Sequence, residues 1–157
     1  MTEPTTHTLH PFRYRHTARF FEIDRAGIVF FGRFYEYAHA AFEELLTAAL
    51  GHSEALFKDL GFGMPLVHSE ADYKAPVFMG DRLLIDVEVE RIGEKSMTFR
   101  YTISGEQDGR LRAVVRLVHA FVDLRTFRPI PAAPALLEGL VRLHLCQGPA
   151  EAVSTAP

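Results

Sequence analysis

The chain has 157 residues, a length that suits one domain, and its 48% hydrophobic and 24% charged residues are typical of a packed globular protein. A formal net charge of −3 gives no electrostatic support for nucleic-acid binding, and the single cysteine, Cys146, excludes an internal disulfide. No apolar run is long enough to cross a membrane and the first residues lack the features of a signal peptide, so we expect a cytoplasmic protein without a membrane or nucleic-acid partner.

The two ends of the chain predict flexible tails around a single domain. Residues 1–11 and 146–157 contain proline and mainly small or polar residues without periodicity, which leaves 12–145 as the domain. The domain opens with FRYRHTARFFEI (12–23), an aromatic and roughly alternating stretch. This pattern predicts a strand that leads directly into Asp24.

A long helix is predicted after Asp24. Apolar residues recur at three- and four-residue spacings from Phe34 to Ala49, and Gly51 then provides a stop signal. We therefore expect one mostly buried helix over 34–50. A shorter helix is predicted over 53–60, with Ser53 as its N-cap.

The second half of the chain predicts antiparallel strands and a closing helix. An extended segment over 64–76 is followed by strands over 82–92, 96–104 and 110–124, which alternate between apolar and polar residues and are separated by turn sequences. A helix over 134–145, with proline in its first turn, ends the domain. Because the sheet has to bury its apolar face, we predict an α+β fold in which an antiparallel sheet wraps around the long helix.

The sequence lacks the motifs of several common kinds of functional site. The eight histidines are scattered without a metal-ligand spacing, and the sequence contains neither a nucleotide-binding glycine motif nor a serine-hydrolase elbow. The one feature left is Asp24, held before a turn that contains Gly27. From propensity alone, such an aspartate is either a turn cap or a catalyst.

Two stretches of sequence resemble the 4-hydroxybenzoyl-CoA thioesterase family, whose members have the hotdog fold. The first is IDRAGIVFFGRFYEYAHAAFEELL, which is similar to the family motif of an aspartate, a glycine, apolar and aromatic residues, and then the central helix. The second is PLVHSEADYKAPVFMGDRLLIDVEV, which resembles the family's second strand and the turn before its third. The likeness spans about residues 12–130 and implies the hotdog fold.

The resemblance implies roles for five residues. Asp24 falls on the catalytic carboxylate, which acts as nucleophile or general base, and the backbone N–H of Phe31 falls on the donor that polarises the thioester carbonyl. Gly27, His39 and His68 are candidate substrate-binding residues, and His39 resembles the branch that acts on 1,4-dihydroxy-2-naphthoyl-CoA. The alternative for His39 is a half-buried histidine bonded to a backbone carbonyl.

Three arginines are candidates for contact with the phosphates of coenzyme A. They are Arg33, Arg125 and Arg128, although exposed arginines are common in any protein. Gly32 and Arg33 also depart from the family pattern, in which Asn or Ser often follows the second aromatic residue. This difference would alter the mouth of the pocket.

The resemblance predicts an acyl-CoA thioesterase for an aryl or other bulky acyl group. It implies no metal and no cofactor, since coenzyme A is part of the substrate, and it implies a homodimer or homotetramer built by joining sheets. One alternative is a thioesterase that acts on an acyl-carrier protein, as in polyketide synthesis. Another is a non-catalytic hotdog module that binds acyl ligands or scaffolds other proteins, and a dehydratase is disfavoured because no histidine-based acid/base motif is in place.

Overall fold

The computed structural model describes residues 8–51 and 60–148. The strands are β1 (Phe12–Thr17), β2 (Phe62–Gly63), β3 (Leu66–Tyr73), β4 (Arg82–Ile92), β5 (Ser96–Gly105), β6 (Leu111–Ala120) and β7 (Val122–Asp123). The helices are α1 (Arg33–Leu50) and α2 (Pro134–Arg142), and a short 3-10 turn covers Phe20–Glu22. The predicted helix over 53–60 lies outside the described residues except for its last position.

Five strands form an antiparallel sheet in the order β1-β4-β5-β6-β3. The central three strands, β4, β5 and β6, are a meander of consecutive hairpins, as their alternating sequences predict. Strands β1 and β3 are the two edges. A separate two-stranded sheet pairs β2 with β7.

Helix α1 covers one face of the sheet and supplies much of the core. Its apolar positions recur every three or four residues, so they form one stripe that packs on the inward side chains of β4, β5 and β6. Gly51 ends the helix in the left-handed conformation, φ 93°, with its N–H bonded to the Thr47 carbonyl oxygen at 2.8 Å. The buried side chains of α1 are those of Phe34, Tyr37, Ala38, Ala41, Phe42, Leu45, Leu46 and Ala49.

The first strand is shorter than predicted. It ends at Thr17, and residues 20–22 form a 3-10 turn in place of a continued strand, so Asp24 does not lie at a strand end. The turn forms because the buried carboxylate of Glu22 accepts the backbone N–H of Arg19, while the Glu22 N–H donates to the Arg19 carbonyl oxygen at 3.0 Å. Alternation alone does not reveal such a bond between neighbouring residues.

Two further boundaries differ from the prediction. The strand expected over 110–124 divides at Phe121 into β6 and β7, because the chain changes partners there: the Phe121 N–H still donates to the Lys95 carbonyl oxygen beside β5 at 2.9 Å, whereas the next two residues pair with β2. The last helix ends at Arg142, three residues early, since His144 adopts a positive φ of 58°. A left-handed residue at this point stops an α-helix.

The outer face of the sheet carries the cross-strand ion pairs that the alternating charges predict. Arg116 lies 3.1 Å from the carboxylate of Glu90 and 3.4 Å from that of Glu70, and Arg13 holds Asp86 with two bonds of 2.7 and 2.8 Å. Such exposed pairs stabilise a fold by at most about 1 kcal/mol each. Neither helix in the described ranges is both long and apolar enough to cross a membrane.

Candidate active site

Asp24 lies in a tight hairpin between the 3-10 turn and helix α1. Ile23 and Val29 form an antiparallel bridge across this hairpin. The Asp24 N–H donates to the Ile28 carbonyl oxygen at 2.8 Å, and the Gly27 N–H donates to the Asp24 carbonyl oxygen at 3.0 Å. Gly27 has φ 81°, a conformation that favours glycine, so the chain reverses here without strain. The structure therefore supports a role for Gly27 in forming the turn.

The carboxylate of Asp24 is half-buried, and one of its oxygens caps the turn. Oδ1 accepts the backbone N–H of Ala26 at 2.7 Å, which is an Asx turn. Oδ2 has no partner among residues 8–51 and 60–148. The turn-cap alternative is thus present in the structure, but it occupies only one oxygen and leaves the other for chemistry.

The backbone N–H of Phe31 belongs to the exposed start of helix α1. The preceding N–H, of Phe30, donates to the Glu22 carbonyl oxygen at 2.9 Å, and the Arg33 N–H donates to the Phe30 carbonyl oxygen at 2.9 Å. Within the described residues, neither the N–H of Phe31 nor that of Gly32 donates a hydrogen bond. These two donors point from the positive end of the helix dipole, where an oxyanion is stabilised.

The start of α1 is tied to the far end of edge strand β3. The Tyr73 hydroxyl donates to the Phe31 carbonyl oxygen at 3.1 Å, and the Tyr73 ring meets the Phe34 ring edge-on at 5.2 Å between centroids. The loop is surrounded by exposed large apolar side chains, an arrangement that marks a contact or ligand surface. These side chains are Phe20, Phe21, Phe30, Phe31, Phe78 and Met79.

Glu22 is a buried carboxylate beneath the loop that the sequence interpretation missed. Its side chain is 4% exposed, lies 2.8 Å from Nε2 of His16, and accepts the Arg19 N–H. The phenol of Tyr37 lies nearby, and its burial, together with the charge of Glu22, raises the pKa of Tyr37. The available signal was the one acidic side chain in the aromatic and arginine-containing stretch over 12–23.

His39 lies on the outward face of α1 beside a groove of about 590 Å³. Its side chain is 61% exposed and its Nε2 lies 3.1 Å from the carboxylate of Glu43. The alternative of a half-buried histidine bonded to a backbone carbonyl does not describe it. The remaining lining of the groove includes Tyr35, Phe42, Met64, Leu66, Leu117 and His119.

His119 is the second functional candidate that the sequence interpretation missed. It points inward from β6, is 4% exposed, and stacks on the Phe42 ring at 4.5 Å between centroids. Burial lowers the pKa of His119. The signal was a histidine at an inward position of the predicted strand over 110–124.

His68 and two of the arginines lie away from the Asp24 loop of their own chain. His68 projects from the outer face of β3, where its Nε2 is 3.2 Å from the carboxylate of Glu70. Arg125 and Arg128 follow β7, at the end of the sheet opposite to the Asp24 loop. Arg33 alone lies beside that loop, where it pairs with the Glu36 carboxylate at 2.7 Å.

The described residues contain no group of three or more histidine, cysteine, aspartate or glutamate side chains arranged to hold a metal ion. The chemistry available at the loop is that of a carboxylate and of backbone N–H donors. Such a pair can bind a carbonyl group and attack it, or activate a water molecule beside it.

Comparison with known proteins identifies relatives that are similar to this chain in sequence over most of its length. The chain is 30% identical over 120 residues to the 1,4-dihydroxy-2-naphthoyl-CoA hydrolase of Nostoc punctiforme, a match that covers 76% of this chain and 81% of the relative. It is 27% identical over 130 residues to the enzyme of the same name from Synechococcus elongatus, with 82% and 94% of the two chains covered.

A solved structure extends the likeness to the fold. The crystal structure of a 1,4-dihydroxy-2-naphthoyl-CoA thioesterase from Synechocystis superposes with a TM-score of 0.77 at 26% identity, over 84% of this chain and 96% of the other. The predicted hotdog architecture is thereby confirmed, as is the predicted enzyme class, a thioester hydrolase. The sequence profile of the thioesterase-like superfamily matches residues 18–140, and the chain therefore belongs to that superfamily.

Proposed function

We propose that the protein hydrolyses the thioester bond of an aryl acyl-CoA, with 1,4-dihydroxy-2-naphthoyl-CoA as the first substrate to test. The names of the relatives from Nostoc punctiforme and Synechococcus elongatus support this substrate. One observation carries the proposal: the Oδ2 atom of Asp24 and the backbone N–H of Phe31, at the start of α1, lie in the same loop. Neither group has a hydrogen-bond partner among the described residues.

In the proposed reaction the thioester carbonyl oxygen accepts the N–H of Phe31. Asp24 either attacks the carbonyl carbon or removes a proton from a water molecule that attacks it. Negative charge then builds on the carbonyl oxygen, where one well-placed donor contributes about 3 kcal/mol. The carbon–sulfur bond breaks, coenzyme A leaves as the thiolate, and water supplies the second oxygen of the carboxylic acid. No metal or organic cofactor enters these steps.

We propose that the active unit is a dimer joined through β3, from which a tetramer can be built. β3 is an edge strand, and seven of its eight residues are exposed, including Leu66, Val67 and Tyr73. An edge strand presents a row of unpaired backbone N–H and C=O groups, to which the strand of a second subunit can pair. A two-fold axis across antiparallel β3 strands would extend the sheet through both subunits.

A thiol-release assay tests the proposal. The full chain is incubated with 1,4-dihydroxy-2-naphthoyl-CoA, 4-hydroxybenzoyl-CoA, benzoyl-CoA, and short and long alkyl acyl-CoAs, and free thiol is followed with a chromogenic disulfide. We expect the highest kcat/KM for an aryl group. Absence of thiol release from every thioester would refute hydrolysis, and a rate that rises only when the acyl group is carried on a carrier protein would refute the CoA substrate.

A further inference from the structure

A buried polar cluster lies where the Asp24 loop meets the start of α1. It consists of Glu22 from the 3-10 turn, His16 from β1 and Tyr37 from the second turn of α1. Glu22 and Tyr37 are 4% and 2% exposed. A buried carboxylate is destabilising unless hydrogen-bond donors satisfy it, so the donors to Glu22 determine where this turn lies.

Two donors hold the carboxylate of Glu22. Oε2 accepts the backbone N–H of Arg19, within the same turn, and Oε1 lies 2.8 Å from Nε2 of His16. An ionised carboxylate only accepts hydrogen bonds, so Nε2 of His16 carries the proton in this contact. The bond to Arg19 is local. The bond to His16 instead fastens the turn to the sheet, where His16 is paired with Leu83 of β4.

His16 also contacts helix α1. Its ring lies against the ring of Tyr37, with 4.4 Å between centroids. The Tyr37 hydroxyl is buried without a hydrogen-bond partner among the described residues, and burial, together with the charge of Glu22, raises the pKa of Tyr37. His16 therefore touches both the turn that leads to Asp24 and the helix that begins after Phe31.

The cluster is connected to both proposed reactive groups through short stretches of backbone. Asp24 follows Glu22 by two residues. The Glu22 carbonyl oxygen accepts the N–H of Phe30 at 2.9 Å, and Phe30 directly precedes the Phe31 amide. A shift of Glu22 therefore moves the carboxylate and the amide donor relative to each other. Such shifts matter because a misplacement of about 1 Å can lower a rate about 100-fold.

We infer that His16 is a positioning residue for the hydrolysis. Through its hydrogen bond to Glu22, it sets the separation between the Asp24 carboxylate and the Phe31 N–H. It acts in this way without contact to the substrate, so its loss should lower kcat and leave KM nearly unchanged. This inference rests on the proposed hydrolase.

Three variants separate the hydrogen bond of His16 from its ring. His16→Gln keeps an N–H donor for Glu22 and removes the ring, whereas His16→Phe keeps a ring against Tyr37 and removes the donor. His16→Leu removes both. Each variant is assayed well below its own thermal midpoint. We expect kcat on the best aryl-CoA to fall about tenfold in the Phe and Leu variants and to stay within about threefold of wild type in His16→Gln, with KM changed less than about twofold in all three.

Tyr14→Leu is the matched control for a loss of packing on the same strand. Tyr14 lies on the same face of β1 as His16, packs against the core, and makes no hydrogen bond to Glu22. It should have a lower thermal midpoint and a wild-type kcat. Wild-type kcat in folded His16→Phe and His16→Leu, a rise in KM alone, or equal losses in the Gln and Phe variants would overturn the inference. Absence of thiol release by the wild-type protein would instead overturn the proposed function.

A double variant tests whether His16 acts through Glu22. If it does, His16→Phe combined with Glu22→Gln should lower kcat no further than the more damaging of the two single changes, because both disturb the same hydrogen bond. Losses that multiply in the double variant would show that His16 acts independently of Glu22 and would overturn the inference.

Discussion

Replacement of Glu22 by glutamine should weaken both the fold and the reaction. The carboxylate is 4% exposed, lies 2.8 Å from Nε2 of His16, and accepts the N–H of Arg19. Glutamine can still accept one of these hydrogen bonds, but it removes the charge and places an NH₂ group against a donor. Loss of one charge-assisted hydrogen bond in a buried setting costs about 1.5–3 kcal/mol.

The same change should reach the active site through the backbone. The Glu22 carbonyl oxygen holds the N–H of Phe30 at 2.9 Å, and Phe30 directly precedes the amide proposed to bind the thioester carbonyl. We expect Glu22→Gln to lower the free energy of unfolding in urea by about 2 kcal/mol and to lower kcat more than it raises KM. Glu138→Gln, at an exposed position of α2, is the control. Unchanged stability and unchanged kcat in Glu22→Gln would refute this reasoning.

Two further predictions concern packing and pH. Gly139→Ala would place a methyl group against the backbone of Ala49, where α2 crosses α1, and should lower the free energy of unfolding by about 1–3 kcal/mol. The control is Gly148→Ala, whose added methyl group would make only an ordinary van der Waals contact and should change stability little. Similar urea midpoints for the two variants would contradict this prediction. Because burial lowers the pKa of His119 below its usual 6.5, the unfolded chain takes up that proton first as the pH falls. Stability should therefore fall between about pH 7.5 and 5.5 more steeply in the wild type than in His119→Phe, and equal slopes in urea titrations would count against a buried neutral histidine.

The central architecture could be predicted from the sequence because it follows from local periodicity. The strands over 82–92 and 96–104 alternate strictly and were assigned nearly to the residue, and the helix predicted over 34–50 is Arg33–Leu50. Each of these elements buries one face of its own sequence pattern. The identity of the fold and the proposed roles of Asp24 and Phe31 rest instead on resemblance, since propensity alone leaves Asp24 open as a turn cap.

The residues that were missed depend on contacts between distant parts of the chain. His119 has a defined tautomer only because Met64, fifty-five positions earlier, brings its carbonyl oxygen to Nδ1. Glu22 is buried because His16 and Tyr37 pack around it, and its bond to Arg19 replaces the predicted continuation of the first strand with a turn. Sequence periodicity predicts which face of a helix or strand a residue occupies, but it does not predict which distant residue it will contact.

The turnover of Asp24→Asn tests the central claim most directly. Asparagine keeps an oxygen that can accept the Ala26 N–H, so the Asx turn and the thermal midpoint should be preserved, while the carboxylate needed for attack or proton removal is lost. Asp108→Asn, which changes another turn aspartate, is the matched control. We predict that kcat on the best aryl-CoA falls by about 100-fold or more in Asp24→Asn and stays near wild type in the control. Wild-type turnover by a folded Asp24→Asn protein would contradict the account.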